Sequence, residues 1–426
     1  MLKAYKYRLY PTKDQREYLD RNFGAVRFIW NALVANFNAY GSDDHVKNLS
    51  EILIKQNNPW LKECISYSIQ QKRMDFQETS RQFFNKNRKK KLGRMKFKKR
   101  GVGRDSFRIP GQAVGYSEAI NFETKRIKIP KMTPIKVIID REFTGQLRSL
   151  TISKTKTNEY YVSCLVEEDD VQPLKKTGKE VGIDLGVSSL ITTSCGIKFE
   201  NPKYYRKTQA KLKRAQRHLS RKKKDSNRYK KQKLKVSKIH EKISRQRSWF
   251  NHCLSKHLVN NFDTIFVEDL NVKGMVKNRS LSKSIHDASW TSLISMIKYK
   301  AEWGGKDFHK IDRFYPSSKI CHSCDHKNEL KLSHRIWSCY NCGMEHDRDI
   351  NAAFNILRQG RLELFGEVME NTSEESPDYS RGEIVRPSSF LKANFNEAMS
   401  NAIDFIEIYG MHDYLNSLAV RNGQNG

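Results

Sequence analysis

The chain has 426 residues, 38% of them apolar, with 21 Phe and 18 Tyr, which is enough for two or three packed cores and excludes a disordered polymer. Its net charge of +32, from 79 Lys plus Arg against 47 Asp plus Glu, exceeds what solubility needs and opposes compact folding by self-repulsion, so a polyanionic partner is expected. No apolar run approaches the ~18 residues of a membrane span and the N-terminus has no apolar signal core, so the sequence reads as a soluble intracellular protein.

Residues 2–10 alternate in character and predict a short strand that Pro11 ends. Thr12-x-x-Gln15 is a capping box, and Leu19, Phe23, Val26, Trp30, Leu33 and Phe37 form one apolar stripe, the pattern of an amphipathic helix with Gly24 as a candidate bend. Further helices are expected over 49–57 and 62–86. A helix-turn-helix reader and a plain helical bundle fit this region equally. From Asn87 to Arg104 basic residues are interleaved with glycine, and Lys96, Lys98, Lys99 and Arg100 are candidate phosphate contacts.

Between Ser106 and Glu168 the apolar period becomes two. Strands are expected at 126–129, 135–139, 150–153 and 160–166, broken by Pro110, Pro130, Pro134 and Gly145, as in a small antiparallel barrel or sandwich. Residues 168–179 read as a linker. Val181 to Thr193 reads as an apolar strand with Asp184 in its middle; a buried carboxylate costs several kcal/mol unless paired or bound to metal. Gly182 and Gly186 leave room beside it for a ligand or another backbone, and the plainer alternative is an Asp satisfied in a hairpin turn with Gly186.

Residues 203–247 hold twenty Lys or Arg and two acids, including the run Arg221, Lys222, Lys223 and Lys224. Such a helix repels itself unless phosphates lie along it, so nucleic-acid contact is expected. The strand 263–271 ends on acids, and Glu268 repeats the logic of Asp184. A helix over 290–303 and a strand over 308–312 follow.

Cys321-x-x-Cys324 and Cys339-x-x-Cys342, with fourteen residues between the pairs, have the spacing of two knuckles around one tetrahedral Zn²⁺, and four thiolates leave no open position for catalysis. Cys64, Cys164, Cys195 and Cys253 have no pairing pattern and are expected to be small buried thiols. After the ribbon, Asp347-Arg348-Asp349-Ile350-Asn351-Ala352-Ala353 starts a helix that its alanines allow to pack closely. Asp184, Glu268 and Asp349 are thus three carboxylates on separate elements. Converging on one sheet edge, they would hold two divalent ions for phosphodiester hydrolysis, with Mg²⁺ expected and no nucleophilic Ser or Cys required.

Gly182-Ile183-Asp184-Leu185-Gly186, Val267-Glu268-Asp269-Leu270, the four-cysteine ribbon and Asp347 to Ala353 are similar in order and spacing to the TnpB proteins, OrfB-type probable transposases of insertion sequences and compact relatives of type V CRISPR effectors. Gly24 to Asn31, Asn201 to Arg206 and Tyr315-Pro316-Ser317-Ser318 match as well, and the resemblance spans roughly residues 1 to 390. It implies a multidomain α+β and α/β chain. A small β-barrel wedge domain (1–10 and 105–170) is interrupted by a helical recognition domain (11–104), and a linker (171–179) follows. Next come an RNase H-like (RuvC) nuclease domain (180–314), a zinc-ribbon insert that binds target nucleic acid (315–345), the last RuvC element (346–360) and an acidic, partly disordered tail (361–426).

The resemblance also implies that the catalytic acids are Asp184, Glu268 and Asp349, the last preferred over Asp347 by the family's D-x-N-A-A pattern. A guide RNA from the element's end would direct Mg²⁺-dependent cleavage of double-stranded DNA next to a short adjacent motif. The setting it implies is the prokaryotic cytoplasm, at the nucleoid, with a functional link to a separate transposase. Rival readings are a decayed nuclease acting as a guided repressor or transposition accessory, and a transposase that itself transfers strands. Two features depart from the family pattern. Asp325 stands where glycine is common, although Asp tolerates the left-handed conformation. The stretch 361–426, with five basic and eleven acidic residues, could form helices over 390–420.

Overall fold

The computed structural model describes residues 1–40, 56–85, 87, 93, 95–168, 172–331, 333–366, 384–387 and 389–390. The expected helix 49–57 falls almost wholly outside these residues, as do a helix over 390–420 and most of the acidic tail. The fold is mixed α and β, in two compact units, Met1–Asp170 and a second beginning at Val171.

In the first unit β1 (Leu2–Tyr10) leads into α1 (Lys13–Tyr40). The capping box closes reciprocally: Thr12 N donates to Gln15 Oε1 at 2.9 Å and Gln15 N to Thr12 Oγ1 at 3.4 Å. The helix runs unbroken through Gly24. It has two apolar faces. Leu19, Phe23 and Val26 pack on the sheet, while Ala25, Ile29, Leu33 and Phe37 pack on Ile69 and Phe76 of α2 (Ser66–Phe84).

Strands β2 (Asp105–Pro110), β3 (Ile120–Asn121), β4 (Arg126–Ile127), β5 (Ile135–Ile138), β6 (Gln146–Lys154) and β7 (Tyr160–Glu167) join β1 in one antiparallel sheet, ordered β2-β6-β7-β1-β5-β4-β3. β1 is central because both its edges are used. It pairs with β7 from Leu2↔Glu167 to Leu9↔Tyr160 and with β5 at Arg8↔Ile138.

The second unit is built on β8 (Glu180–Asp184), β9 (Ser189–Thr193), β10 (Lys198–Glu200), β11 (Thr264–Glu268), β12 (Asp307–Ile311) and β15 (Ile384–Val385), ordered β12-β11-β8-β9-β10-β15. β8, β9 and β10 form an antiparallel meander, and β11 and β12 lie parallel to β8. Val181, Ile183, Ile265, Phe266 and Val267 are all fully buried, the mark of strands covered on both faces.

The apolar run from Val181 to Thr193 is therefore two strands, not one, and Asp184 ends the first of them. The turn is tight: a Cβ on Gly186 would lie 2.5 Å from Ser189 O.

The basic region is a helical hairpin, α3 (Tyr204–Ser220) and α4 (Asn227–Asn261), with Arg221, Lys222, Lys223 and Lys224 exposed at its tip. Gln232 Nε2 ties the helices through Ala215 O at 2.9 Å. The thin apolar stripe has a simple cause: the first half of α4 is solvent-facing, and its core residues, Trp249, Phe250, Leu254 and Leu258 among them, lie in the second half. The root of the hairpin is pinned by Asp287, 4% exposed, which accepts Tyr205 N at 3.0 Å, Arg206 N at 3.2 Å and Arg247 Nη2 at 2.7 Å. Removing one partner of such a buried ion pair costs about 3–5 kcal/mol.

Asp287 belongs to α6 (Arg279–Ala288), which follows the single turn α5 (Val272–Met275); α7 (Trp290–Trp303) then packs on α4 and β12. A short hairpin, β13 (Ile336–Ser338) and β14 (Glu345–Asp347), precedes α8 (Arg348–Phe365). That helix runs past residue 360, so the first five residues assigned to the acidic tail are its last turn. Beyond it, Val385 pairs beside Phe199, and Phe390 packs on Phe199, Phe250 and His257. No helix among the described residues is long and apolar enough to cross a membrane.

Candidate functional site

Asp184 and Glu268 end neighbouring parallel strands. The register pairs Ile183 with Val267, so the two carboxyls emerge side by side, where they share a hydrogen bond. α8 lies against β8 so closely that a Cβ on Gly182 would sit 2.1 Å from Ala353 O and 2.5 Å from Leu357 N. The room left by Gly182 is thus filled by backbone, and Ala353, fully buried, is what lets that backbone approach.

This packing brings the head of α8, with Asp349, to the same sheet edge. Burial, then the charges of Glu268 and Asp349, raise the proton affinity of Asp184 well above the usual carboxylate range; Leu185 N–H and Arg348 oppose the rise. Glu268 is raised by burial and held back by hydrogen bonds from Ser317 and Asp184. The three carboxyls thus repel one another at one sheet edge, a repulsion that Arg348 and the Ser317 hydroxyl offset only in part.

The two aspartates of the turn differ in use. Asp347 is the N-cap of α8, its Oδ1 accepting Asp349 N at 3.0 Å and Ile350 N at 3.1 Å, and its Oδ2 takes Lys198 Nζ at 2.6 Å. Asp349 caps nothing. Its Oδ1 meets Arg335 Nη1 at 3.2 Å.

Among the described residues, one group of three or more His, Cys, Asp or Glu has its ligand atoms all within 4.8 Å: Cys321, Cys324, Cys339 and Cys342.

In the ribbon the two knuckles have the same geometry. Asp325 N donates to Cys321 O at 3.0 Å and Gly343 N to Cys339 O at 2.9 Å, with Asp325 at φ 61° and Gly343 at φ 70°. Asp325 therefore takes the left-handed place that glycine takes in the second knuckle, and its carboxylate pairs with Arg358 of α8. Although burial works against it, N–H donors from Cys342 and Asn341 hold the Cys339 thiol down to about 6, whereas burial pushes Cys321 up to about 12.

His346 carries no mark in the sequence. It is buried, its Nε2 lies 3.0 Å from Cys321 Sγ, and its ring packs against His322 and Trp337. No spacing rule finds it, because it reaches the thiol only once β13 and β14 pair. Of the scattered cysteines, Cys64, Cys164 and Cys253 are buried, but Cys195 is exposed. It lies in the turn after β9, where no core is available.

The basic candidates lie apart from the acids in sequence. Lys96, Lys98, Lys99 and Arg100 are exposed in the first unit, where Lys98 Nζ stacks 4.1 Å from the Trp30 ring and Asn31 clamps the Lys98 backbone through N at 2.7 Å and O at 2.9 Å.

Three families match: one described as "Probable transposase" over residues 163–279, one as "Cas12f1-like, TNB domain" over 290–356 and one as "Helix-turn-helix domain" over 1–42. The last span is, in its described residues, one strand and one continuous helix. A relative from Streptomyces pristinaespiralis named "Putative RNA-guided DNA endonuclease" is 36% identical across 84% of this chain and 89% of its own. Another from Escherichia coli (strain K12), named "Putative RNA-guided DNA endonuclease InsQ", is 31% identical across 87% of this chain and 95% of its own. A solved Cas12f1–sgRNA–target DNA complex aligns at 13% identity with a TM-score of 0.48, covering 84% of this chain and 98% of that one. On the two long alignments above 30% identity, the chain belongs to the TnpB family of OrfB-type probable transposases.

Proposed function

We propose that the protein is an RNA-guided, Mg²⁺-dependent DNA endonuclease that cleaves double-stranded DNA beside a short adjacent motif. The observation that carries this reading is the side-by-side emergence of Asp184 and Glu268 from parallel strands, with Asp349 electrostatically coupled to Asp184. The names of the two long relatives support a guided endonuclease. A meander of three strands followed by two parallel ones supports the RNase H-like (RuvC) reading of the second unit. The seven-stranded antiparallel sheet supports a wedge domain in the first.

The residues fit their metals by donor chemistry. Asp184, Glu268 and Asp349 are hard oxygen donors whose mutual repulsion a divalent ion would relieve, and the four gathered thiols fit structural Zn²⁺. When bound by the acids, Mg²⁺ would supply Lewis-acid polarisation for phosphodiester hydrolysis. The chain's own part is to fix the carboxylates in place. Asp347 sets the start of α8 and hence the position of Asp349; Gly182 sets the distance between helix and strand. The basic hairpin tip and the 96–100 segment offer phosphate contacts for guide RNA or target DNA, and base pairing would read the sequence. A link to a separate transposase belongs to the same reading.

The test is to copurify the protein with RNA transcribed from its flanking locus and assay cleavage of matching duplex in Mg²⁺. Wild type should cut, and D184A should hold the same RNA without cutting. Cutting by D184A, or wild-type occupancy of the target without cutting, would overturn the reading.

A further inference from the structure

Ser317 lies in the turn Tyr315-Pro316-Ser317-Ser318, between β12 and the ribbon, and is 4% exposed. The turn is tight, with Ser317 N donating to Tyr315 O at 2.9 Å, and Tyr315 packs on the cluster of Phe266, Ile311, Ile356 and Leu357. The Ser317 hydroxyl donates to Glu268 Oε1 at 2.8 Å.

The turn is also held from α8. Asn355, fully buried, gives its side-chain amide to Ser317 O at 2.8 Å and to Ile320 O at 2.7 Å. Asn351 gives Nδ2 to Ile320 O at 2.7 Å and accepts His322 N at 3.0 Å. Of the nearby cations, Lys310 and Arg313 pair with Asp269, Arg335 pairs with Asp349, and Arg348 donates to Lys331 O and Ser318 Oγ.

We propose that Ser317 is a positioning residue of the acid centre: it fixes one oxygen of Glu268 so that the other faces a divalent ion, and Asn355 ties this setting to the helix that carries Asp349. The proposal rests on the reading of the acids as ion ligands. Its physical basis is that a carboxylate ligand free to rotate must give up that freedom when an ion binds, whereas one already held by a neighbouring donor has given it up in folding.

The experiment uses the ribonucleoprotein with Mn²⁺ as probe. Free Mn²⁺ is followed by electron paramagnetic resonance to measure binding, and cleavage is followed against Mn²⁺ concentration. S317A should bind Mn²⁺ about tenfold more weakly, the lower end of what removing a ligand's hydrogen-bond partner costs. Its cleavage should need correspondingly more Mn²⁺, and S317T, which keeps the hydroxyl, should behave as wild type.

Wild-type Mn²⁺ affinity in S317A, or equal weakening in S317A and S317T, overturns the proposal. If S317A fails to accumulate, S317C, of similar size but a weak donor, is read the same way, and wild-type affinity there overturns it too. E268Q run alongside separates the two levels. If E268Q loses Mn²⁺ and S317A does not, the acid centre stands without the positioning role; if E268Q binds as wild type, both fall.

Discussion

Asp347 Oδ1 accepts the backbone N–H of Asp349 at 3.0 Å, so two acids of one turn divide the work: the first builds the helix start, and the second, paired with Arg335, adds its charge beside Asp184. D347A should cost about 1 kcal/mol, the usual value of an N-cap, visible as a lower melting temperature with cleavage reduced. D349A should leave melting nearly unchanged and remove cleavage by a factor of about a thousand or more, equivalent to ~4 kcal/mol in the barrier. The reverse ordering would assign the roles the other way.

Gly182 admits no side chain. In G182A the new methyl meets Ala353 O and Leu357 N, both backbone, so α8 must lift from β8 at a cost of about 1–3 kcal/mol. Thermal melting should fall and cleavage with it, while guide-RNA retention, measured on the purified complex, should persist.

The raised proton affinity of half-buried Asp184 has a sign that can be followed by pH. An unfolded Asp ionises near 3.9, and the folded one is raised, by burial first and then by Glu268 and Asp349. The native state therefore holds the extra proton between those two values, and stability falls as pH rises through that window. Without divalent metal, D184N should melt above wild type at neutral pH, and the gain should close below about pH 4. Mg²⁺ should raise the wild-type melting temperature and leave D184N unchanged. A melting difference constant from about pH 4 to 8 would falsify the account.

One zinc per chain is expected by elemental analysis, and C339S should lose it. The ribbon should then become sensitive to protease while both large sheets keep their circular dichroism. Target-DNA affinity should drop and guide-RNA affinity should hold.

Replacing Arg221, Lys222, Lys223 and Lys224 together by Ala touches only exposed side chains, so stability should move by less than about 0.5 kcal/mol. Nucleic-acid affinity should fall, and the plot of log affinity against log salt should flatten by roughly 0.7–0.9 for each phosphate that the tip no longer neutralises. An unchanged slope would place the tip away from nucleic acid.

The sequence was informative where spacing alone carries chemistry. The cysteine pairs announced a cluster because ligand geometry constrains neighbours in the chain. Asp184 and Glu268 stood out because a carboxylate is costly beside Val181, Ile183 and Phe266. Long-range pairing was harder to read. The apolar run after Val181 hid a turn, since Leu185, Val187 and Leu190 keep the same polarity through it. His346 carries no local signal and the motif holding Ser317 does not name its partner, because one meets its partner through the β13–β14 pairing and the other through a turn clamped by Asn355. The left-handed place of Asp325 was legible from its residue type at a glycine position, and the backbone angles match it to Gly343.

The seating of Ala353 against Gly182 also sets an order of events during synthesis. The ribosome releases both sheet-borne acids long before it releases the helix that completes them, and the ribbon emerges in between. A polypeptide terminated between Glu268 and Ala353 can pair β8 with β11 yet has nothing to lay across Gly182. Nascent and truncated products therefore lack the third acid in its place, and the three-carboxylate centre arises only in chains translated through α8.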